Sequence, residues 1–141
     1  MITTHDYAIW FDFKIVSIPS GIVSWFYVCL LYDTDENWDI NILYDKNTGT
    51  IRSYNGSSWI DASFTPSCSL VIGNSYKFKV TLTSNSTHKI SLTTSTATYE
   101  SQSLADQATW TRPVKYYQNA LHGYGTVVGT EFQIDNLYAT W

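Results

Sequence analysis

Charged residues are scarce in this sequence. Aspartate, glutamate, lysine and arginine make up 14% of the 141 residues, only eight are lysine or arginine, and the formal net charge is -4. Proteins that bind nucleic acid need clustered cations to replace the counterions of the phosphate backbone. An anionic membrane surface attracts a protein through similar basic clusters. The composition therefore argues against nucleic acid and against a membrane as partners.

Long apolar runs are also missing, and the first residues show no signal-peptide pattern. No stretch approaches the roughly 20 apolar residues that cross a bilayer, and residues 1–6 lack the basic-then-apolar pattern of a signal peptide. The hydrophobic content of 44% nevertheless excludes a disordered chain. We expect one domain over residues 1–141, excised from or appended to a larger extracellular or cell-surface protein, because a strand pattern begins almost at once.

Cysteine and histidine form no recognisable metal or redox motif. Cys29 and Cys68 are compatible with one disulfide or with two buried thiols, and both alternatives stay open. His5, His88 and His122 stand alone, without a second ligand at metal spacing, so we expect surface histidines. The sequence therefore predicts no cofactor.

The hydrophobic pattern has a period of two almost everywhere, which is typical of β-strands. In residues 8–16, for example, Ile9, Phe11 and Phe13 fall on one face and alternate with Trp10 and Asp12 on the other. A short helical turn is expected at residues 103–108. The predicted strands cover residues 8–16, 22–32, 38–45, 50–54, 59–64, 75–83, 88–99 and 131–141. Strands of this length with regular turn signals predict an all-β, two-sheet antiparallel β-sandwich.

Four local patterns carry a family resemblance through their order and spacing. They are the opening strand at 10–15, the meander at 41–45 with 49–51 and 55–59, the hairpin at 75–80 with 89–92, and the closing strand at 132–137. Together they resemble the concanavalin A-like lectin/glucanase superfamily, in its laminin-G-like branch. The resemblance implies a jelly roll with ligands in the concave sheet or at edge loops. Lectins, carbohydrate-binding modules, adhesion domains and glycosidases share this fold, so fold alone does not settle function.

The arrangement of carboxylates argues against an enzyme. The glucanase branch carries a Glu-x-Asp-x-x-Glu strand motif, which is absent here, and no Ser-His-Asp order or phosphate-binding glycine loop appears. A retaining glycosidase needs two carboxylates about 5 Å apart. The acidic cluster in residues 33–39 instead resembles a solvated loop. A glycosidase or lyase stays a minor alternative, with strand carboxylates at Asp12, Asp39 and Asp45.

The same acidic cluster invites a calcium hypothesis. Asp33, Asp35, Asn37 and Asp39 alternate as oxygen ligands do in calcium loops, but the glycine and distal glutamate of an EF-hand are missing. Asp135 on the closing strand is a second candidate. We prefer a solvated loop for the cluster and a backbone contact at a β-bulge for Asp135, which leaves structural calcium as an alternative.

Aromatic residues are abundant, with 6 tryptophans and 11 tyrosines. Such rings build sandwich cores, but exposed ones can also stack on the C–H faces of sugars. Strand alternation places Trp25, Tyr27, Asn41 and Arg52 on one predicted face, the concave sheet. The other candidates for carbohydrate binding lie at predicted sandwich edges or in the irregular segment 100–121: Trp38, Trp59, Trp110 and Tyr117.

These observations predict a non-catalytic carbohydrate-binding module, lectin-like and extracellular, whose partner is a polysaccharide or glycan. We expect a monomer tethered to a larger protein. The alternative is a structural or adhesive domain of a cell surface or virion, engaged in protein–protein contacts. Low charge and abundant serine and threonine suit both hypotheses.

Overall fold

The computed structural model describes residues 8–18, 25–33, 38–84, 86–107, 114–118 and 131–140. These residues form twelve strands and no helix, and hence no helix long and apolar enough to cross a membrane. The strands are β1 (Ala8–Ser17), β2 (Trp25–Asp33), β3 (Trp38–Asp45), β4 (Thr50–Tyr54), β5 (Trp59–Asp61), β6 (Phe64–Thr65), β7 (Ser75–Ser84), β8 (Thr87–Thr93), β9 (Thr98–Ser101), β10 (Leu104–Ala105), β11 (Val114–Gln118) and β12 (Glu131–Thr140).

Two antiparallel sheets stack to form the domain. The seven-stranded sheet has the order β12-β1-β7-β8-β9-β6, and β10 also pairs with β8. The five-stranded sheet has the order β11-β2-β3-β4-β5. The predicted two-sheet antiparallel β-sandwich is therefore confirmed.

The core lies between the sheets and follows the alternation of the strands. Ile9, Phe11 and Phe13 of β1 are at most 2% exposed. Phe78 of β7 stacks on Phe11 with ring centroids 5.2 Å apart and meets Phe13 edge-on at 6.0 Å. Each such buried side chain contributes about 1.5–3 kcal/mol relative to an exposed one. The five-stranded sheet contributes Ile40, Ile42 and Tyr44 to the same core.

Two predicted strands are each divided in the structure. Residues 59–64 form β5 in one sheet and β6 in the other, because the chain crosses between sheets at Ala62, which is buried. Residues 88–99 form the hairpin of β8 and β9. Thr94 closes its turn, since its backbone N–H donates to Ala97 O at 2.8 Å and its hydroxyl accepts from Ala97 N at 3.1 Å. A threonine hydroxyl can act as a turn signal in this way.

The expected helical turn at residues 103–108 is wrong for the part that the structure describes. Leu104 and Ala105 form β10, opposite His88 and Thr87 of β8. Leu104 is only 2% exposed, so packing against the core favours the extended backbone over a helical turn. Residue 108 lies outside the described residues.

Both cysteines are free thiols, which settles the alternative that the sequence left open. Cys29 on β2 is completely buried, and Cys68 is partly buried against the same core. Loss of hydration raises the pKa of both thiols.

Candidate functional site

The outer face of the five-stranded sheet carries four of the predicted binding residues. Trp25 and Tyr27 lie on β2, Asn41 on β3 and Arg52 on β4. The register places Tyr27 opposite Leu43, and Leu43 opposite Arg52. These residues therefore share one side of three neighbouring strands, as alternation predicted.

Aromatic side chains form a continuous cluster on this face. The ring centroids of Trp25 and Tyr27 lie 5.4 Å apart in an edge-to-face arrangement, and those of Tyr27 and Trp59 lie 6.3 Å apart. Tyr54 lies 5.1 Å from Trp59. Tyr27 is buried and its phenol has a raised pKa because of desolvation, whereas Trp25, Tyr54 and Trp59 keep part of their surface in solvent. The cluster thus has a buried base, formed by Tyr27, and partly exposed outer rings.

Arg52 is held in place beside these rings. Its Nε lies 2.8 Å from Asp61 Oδ1, off the N–H direction, so this contact is an ion pair without a well-aligned hydrogen bond. Its Nη1 donates to Asp45 Oδ2 at 3.4 Å, and its Nη2 donates to Trp59 O at 3.3 Å. Such half-exposed pairs add at most about 1 kcal/mol to stability. Their main effect is to fix the direction of the guanidinium group.

Asn41 lies beneath the surface instead of lining it. It is 2% exposed, and its amide Nδ2 donates to Gln107 Oε1. Its Oδ1 accepts no hydrogen bond from the residues that the structure describes. The main-chain oxygen of Gln107 also lies against Gly56, where a Cβ would approach to 3.0 Å. Asn41 therefore supports the face from below, together with Tyr27 and the buried Leu43.

The remaining predicted residues are placed only in part. Trp38 begins β3, and Tyr117 lies on β11 opposite Leu31, but their side chains are not among the described features. Trp110 lies outside the described residues, and so do residues 34–37, which form most of the acidic loop. Within the described ranges, no group of three or more histidine, cysteine, aspartate or glutamate side chains could hold a metal ion.

Asp135 makes the backbone contact that the sequence favoured. Its Oδ1 accepts from the main-chain N–H of Asn136 at 2.8 Å. The contact lies where the register between β1 and β12 shifts, between Trp10 and Asp12. The β-bulge interpretation of Asp135 is confirmed.

A buried chain of Ser53, His88 and Asp106 was missed in the sequence. Ser53 Oγ lies 3.1 Å from His88 Nε2, and His88 Nδ1 lies 2.5 Å from Asp106 Oδ1. The expectation that His88 is a surface histidine is wrong, because the side chain is 0% exposed. It shares the inward face of β8 with Ile90 and Leu92, so strand alternation contained the signal.

This chain of polar groups joins the two sheets. Ser53 belongs to the five-stranded sheet and His88 to the seven-stranded sheet. The order resembles that of a catalytic triad, but Ser53 is 1% exposed and its hydroxyl faces the core. A substrate cannot reach that oxygen in this conformation, and the arrangement serves the packing of the sandwich.

No protein-family model matches the chain. No curated protein matches it either. Among solved structures, a Trypanosoma rangeli sialidase in complex with sialic acid is similar at 10% identity and a TM-score of 0.54, over 98% of this chain and 21% of that one. The same sialidase in complex with the inhibitor DANA gives 11% identity and a TM-score of 0.52, over 95% of this chain and 20% of that one.

The galectin LEC-6 of Caenorhabditis elegans is similar at 12% identity and a TM-score of 0.49, over 97% of this chain and 80% of the galectin. The chain spans about a fifth of the length of the sialidase chains it matches. At these identities the sialidase likeness shows the fold alone. The strand topology places this protein in the class of all-β, two-sheet antiparallel sandwiches.

Proposed function

We propose that the protein binds a polysaccharide, without catalysis, through the outer face of the five-stranded sheet. The observation that carries the proposal is the fixed position of Arg52 beside partly exposed aromatic rings. Arg52 is 31% exposed and contacts Asp45, Asp61 and the main chain of Trp59. Its guanidinium is therefore oriented before any ligand arrives.

This arrangement provides the two kinds of contact that a sugar ring needs. The solvent-facing parts of the Trp25 and Trp59 rings can stack on the C–H face of a sugar, because an aromatic ring has a large apolar surface and an electron-rich face that attracts C–H groups. The guanidinium donates hydrogen bonds to ring hydroxyls, and Asp61, which is 57% exposed, accepts them. Preorganised groups lose little conformational entropy on binding.

A non-catalytic role agrees with the state of the carboxylates on this face. Asp45 and Asp61 both pair with the same arginine, so neither is placed as a free acid or nucleophile. As part of the proposal, the chain belongs to the concanavalin A-like lectin/glucanase superfamily and acts as an extracellular module tethered to a larger protein. Tethering would raise the effective concentration of the whole protein on a polymer.

Affinity electrophoresis against neutral soluble polysaccharides tests the proposal. We expect retardation in gels that contain one of β-glucan, xylan, mannan or starch. Trp59→Ala and Arg52→Gln should each weaken binding at least about tenfold, as truncation of a central anchor does. Ile60→Ala is the matched control, because Ile60 is the next residue on β5 and faces the other way from Trp59. Its binding should equal that of the wild type.

Two results would contradict this site. One is a wild-type protein that no neutral polymer retards. The other is full binding by Trp59→Ala and Arg52→Gln when both variants keep the wild-type melting temperature. A parallel set of gels with EDTA tests for calcium, whose removal would abolish binding only if a metal takes part.

Protein–protein contact is the second candidate function. Val71 and Ile72 follow each other in the loop before β7 and are 53% and 46% exposed. Exposed apolar side chains in contiguous patches mark interaction surfaces. Light scattering distinguishes the candidates, since a concentration-dependent dimer that Ile72→Ser disrupts would favour the adhesive role.

A further inference from the structure

The outer face of the seven-stranded sheet, on the opposite side of the sandwich, contains an open groove lined mainly by polar and charged residues. Its volume is about 580 Å³, within the range of sites that hold small ligands. Two adjacent cross-strand rows line it. One row contains Asp135, Asp12 and Lys77, and the next contains Gln133, Lys14 and Ser75.

Two lysines in this groove have no ion-pair partner among the described residues. Neither Lys14 nor Lys77 forms an ion pair with any residue that the structure describes. Lys89 on the same sheet differs, because its Nζ lies 2.8 Å from Glu100 Oε1. Lys14 and Lys77 occupy diagonal positions on β1 and β7, since Asp12 pairs with Lys77 and Lys14 with Ser75. Long side chains at diagonal positions can reach one common ligand.

Two carboxylates in the groove are fixed by one asparagine. Asp12 and Asp135 lie directly opposite each other, which is unfavourable for like charges. Asn136 bridges them, because its backbone N–H donates to Asp135 Oδ1 at 2.8 Å and its Nδ2 donates to Asp12 Oδ2 at 2.6 Å. Asn136 adopts a φ of 49°, in the left-handed region that asparagine tolerates better than most residues. Each carboxylate keeps further acceptor positions for hydroxyl donors.

An aromatic platform adjoins the groove. Trp10 lies two residues before Asp12 on β1 and stacks on Tyr138 of β12, with ring centroids 5.9 Å apart and planes inclined by 23°. Lys79 Nζ lies 5.8 Å from the centre of the Trp10 ring. Tyr138 is 54% exposed, so its ring can contact a ligand that extends beyond the groove.

We infer that this groove binds an acidic oligosaccharide, with a uronate carboxylate between Lys14 and Lys77. The sugar hydroxyls donate to Asp12 and Asp135, and a neighbouring sugar ring packs on Tyr138. Two neighbouring ammonium groups favour an anionic partner, oriented carboxylates favour hydroxyl donors, and an exposed ring favours an apolar sugar face. A uronate-containing chain combines all three features. This site goes beyond the proposed neutral-polysaccharide face and does not depend on it.

Affinity electrophoresis with polygalacturonate, alginate and hyaluronan, each beside its methyl ester, tests the inference. The ester keeps the sugar backbone and removes the charge. We expect at least one acidic polymer to retard the wild-type protein, and its methyl ester to retard it less. The double variant Lys14→Gln/Lys77→Gln should bind the acidic polymer at least about tenfold more weakly, as expected for a lost charge-assisted hydrogen bond. Lys46→Gln/Lys89→Gln removes two positive charges outside the groove, and this control should bind like the wild type.

The outcomes separate this inference from the proposed function. It is overturned if no acidic polymer retards the wild type, if the esters bind equally well, or if both double variants lose binding equally. In the first case, the proposed function would stand if Trp59→Ala and Arg52→Gln weaken neutral-polymer binding while Lys14→Gln/Lys77→Gln leaves it unchanged. If the protein binds an acidic polymer, Trp59→Ala leaves that binding intact and no neutral polymer binds, the groove is supported and the proposed site on the five-stranded sheet is refuted. Melting temperatures of all variants establish that each is folded.

Discussion

Replacement of His88 by alanine is expected to destabilise the sandwich far more than replacement of its neighbour Lys89. Both residues lie on β8 and both contact a carboxylate at short distance: 2.5 Å for His88 Nδ1 and Asp106, and 2.8 Å for Lys89 Nζ and Glu100. They differ in burial. The side chains of His88 and Asp106 are both 0% exposed, whereas those of Lys89 and Glu100 are 36% and 54% exposed.

The magnitude follows from this difference in burial. Removal of one partner from a buried polar pair leaves the other desolvated, which typically costs about 3–5 kcal/mol. We expect His88→Ala to cost about 3 kcal/mol, at the lower end of that range, because Asp106 keeps another interaction. Lys89→Ala removes an exposed pair and should cost at most about 1 kcal/mol. Ser53→Ala removes one hydrogen bond to His88 and should cost about 1 kcal/mol.

Urea unfolding followed by tryptophan fluorescence measures these differences in the free energy of unfolding. The expected order of destabilisation is His88 first, with Ser53 and Lys89 well behind. A cost below about 1 kcal/mol for His88→Ala would refute the claim that the buried pair of His88 and Asp106 stabilises the sandwich. An equal cost for Lys89→Ala would refute the argument from burial.

Two further predictions concern a turn and a buried thiol. Gly56→Ala should lower the free energy of unfolding by about 2 kcal/mol and Gly49→Ala by about 1 kcal/mol, as measured by thermal unfolding. Both glycines have positive φ, but only a Cβ at Gly56 would meet Gln107 O, at 3.0 Å. Equal losses for the two variants would contradict this reasoning. Burial raises the pKa of the Cys29 thiol above its ordinary value of 9.0, so this thiol ionises at lower pH in the unfolded chain than in the folded one. The contribution of Cys29 to stability should therefore be constant below about pH 9 and fall above it. Urea titrations from about pH 7 to 10 should show this decline, and Cys29→Ala should reduce its slope; an unchanged slope would exclude Cys29 as the cause.

Part of the candidate site could be predicted from the sequence. Alternation placed Trp25, Tyr27 and Arg52 on one face, and the tight turn at residues 55–58 leads directly to the pairing of Tyr54 with Trp59. Burial could not be predicted in the same way. Asn41 faces outward by alternation, yet it is covered, because a residue 66 positions away contacts its amide. No local pattern specifies such a contact.

The groove on the other sheet shows the same limit. Its β1 strand lies between β12 and β7, so Asp12 meets Asp135 on one side and Lys77 on the other. Asn136 and Asp12 are separated by 124 positions, but their side chains are hydrogen-bonded. Nothing in the spacing of these residues indicates that they meet, since strand order is decided by how the whole chain packs.

The sequence by itself determined most of the longer strands and their inward faces, because a period of two is a local property that any strand with one dry side must show. It also contained the inward position of His88, by the same alternation as Ile90 and Leu92. The tertiary structure alone decided which strands are neighbours, which polar atoms find partners and which outward residues are covered. These outcomes depend on contacts between residues far apart in the chain, and such contacts form only when the two sheets pack together.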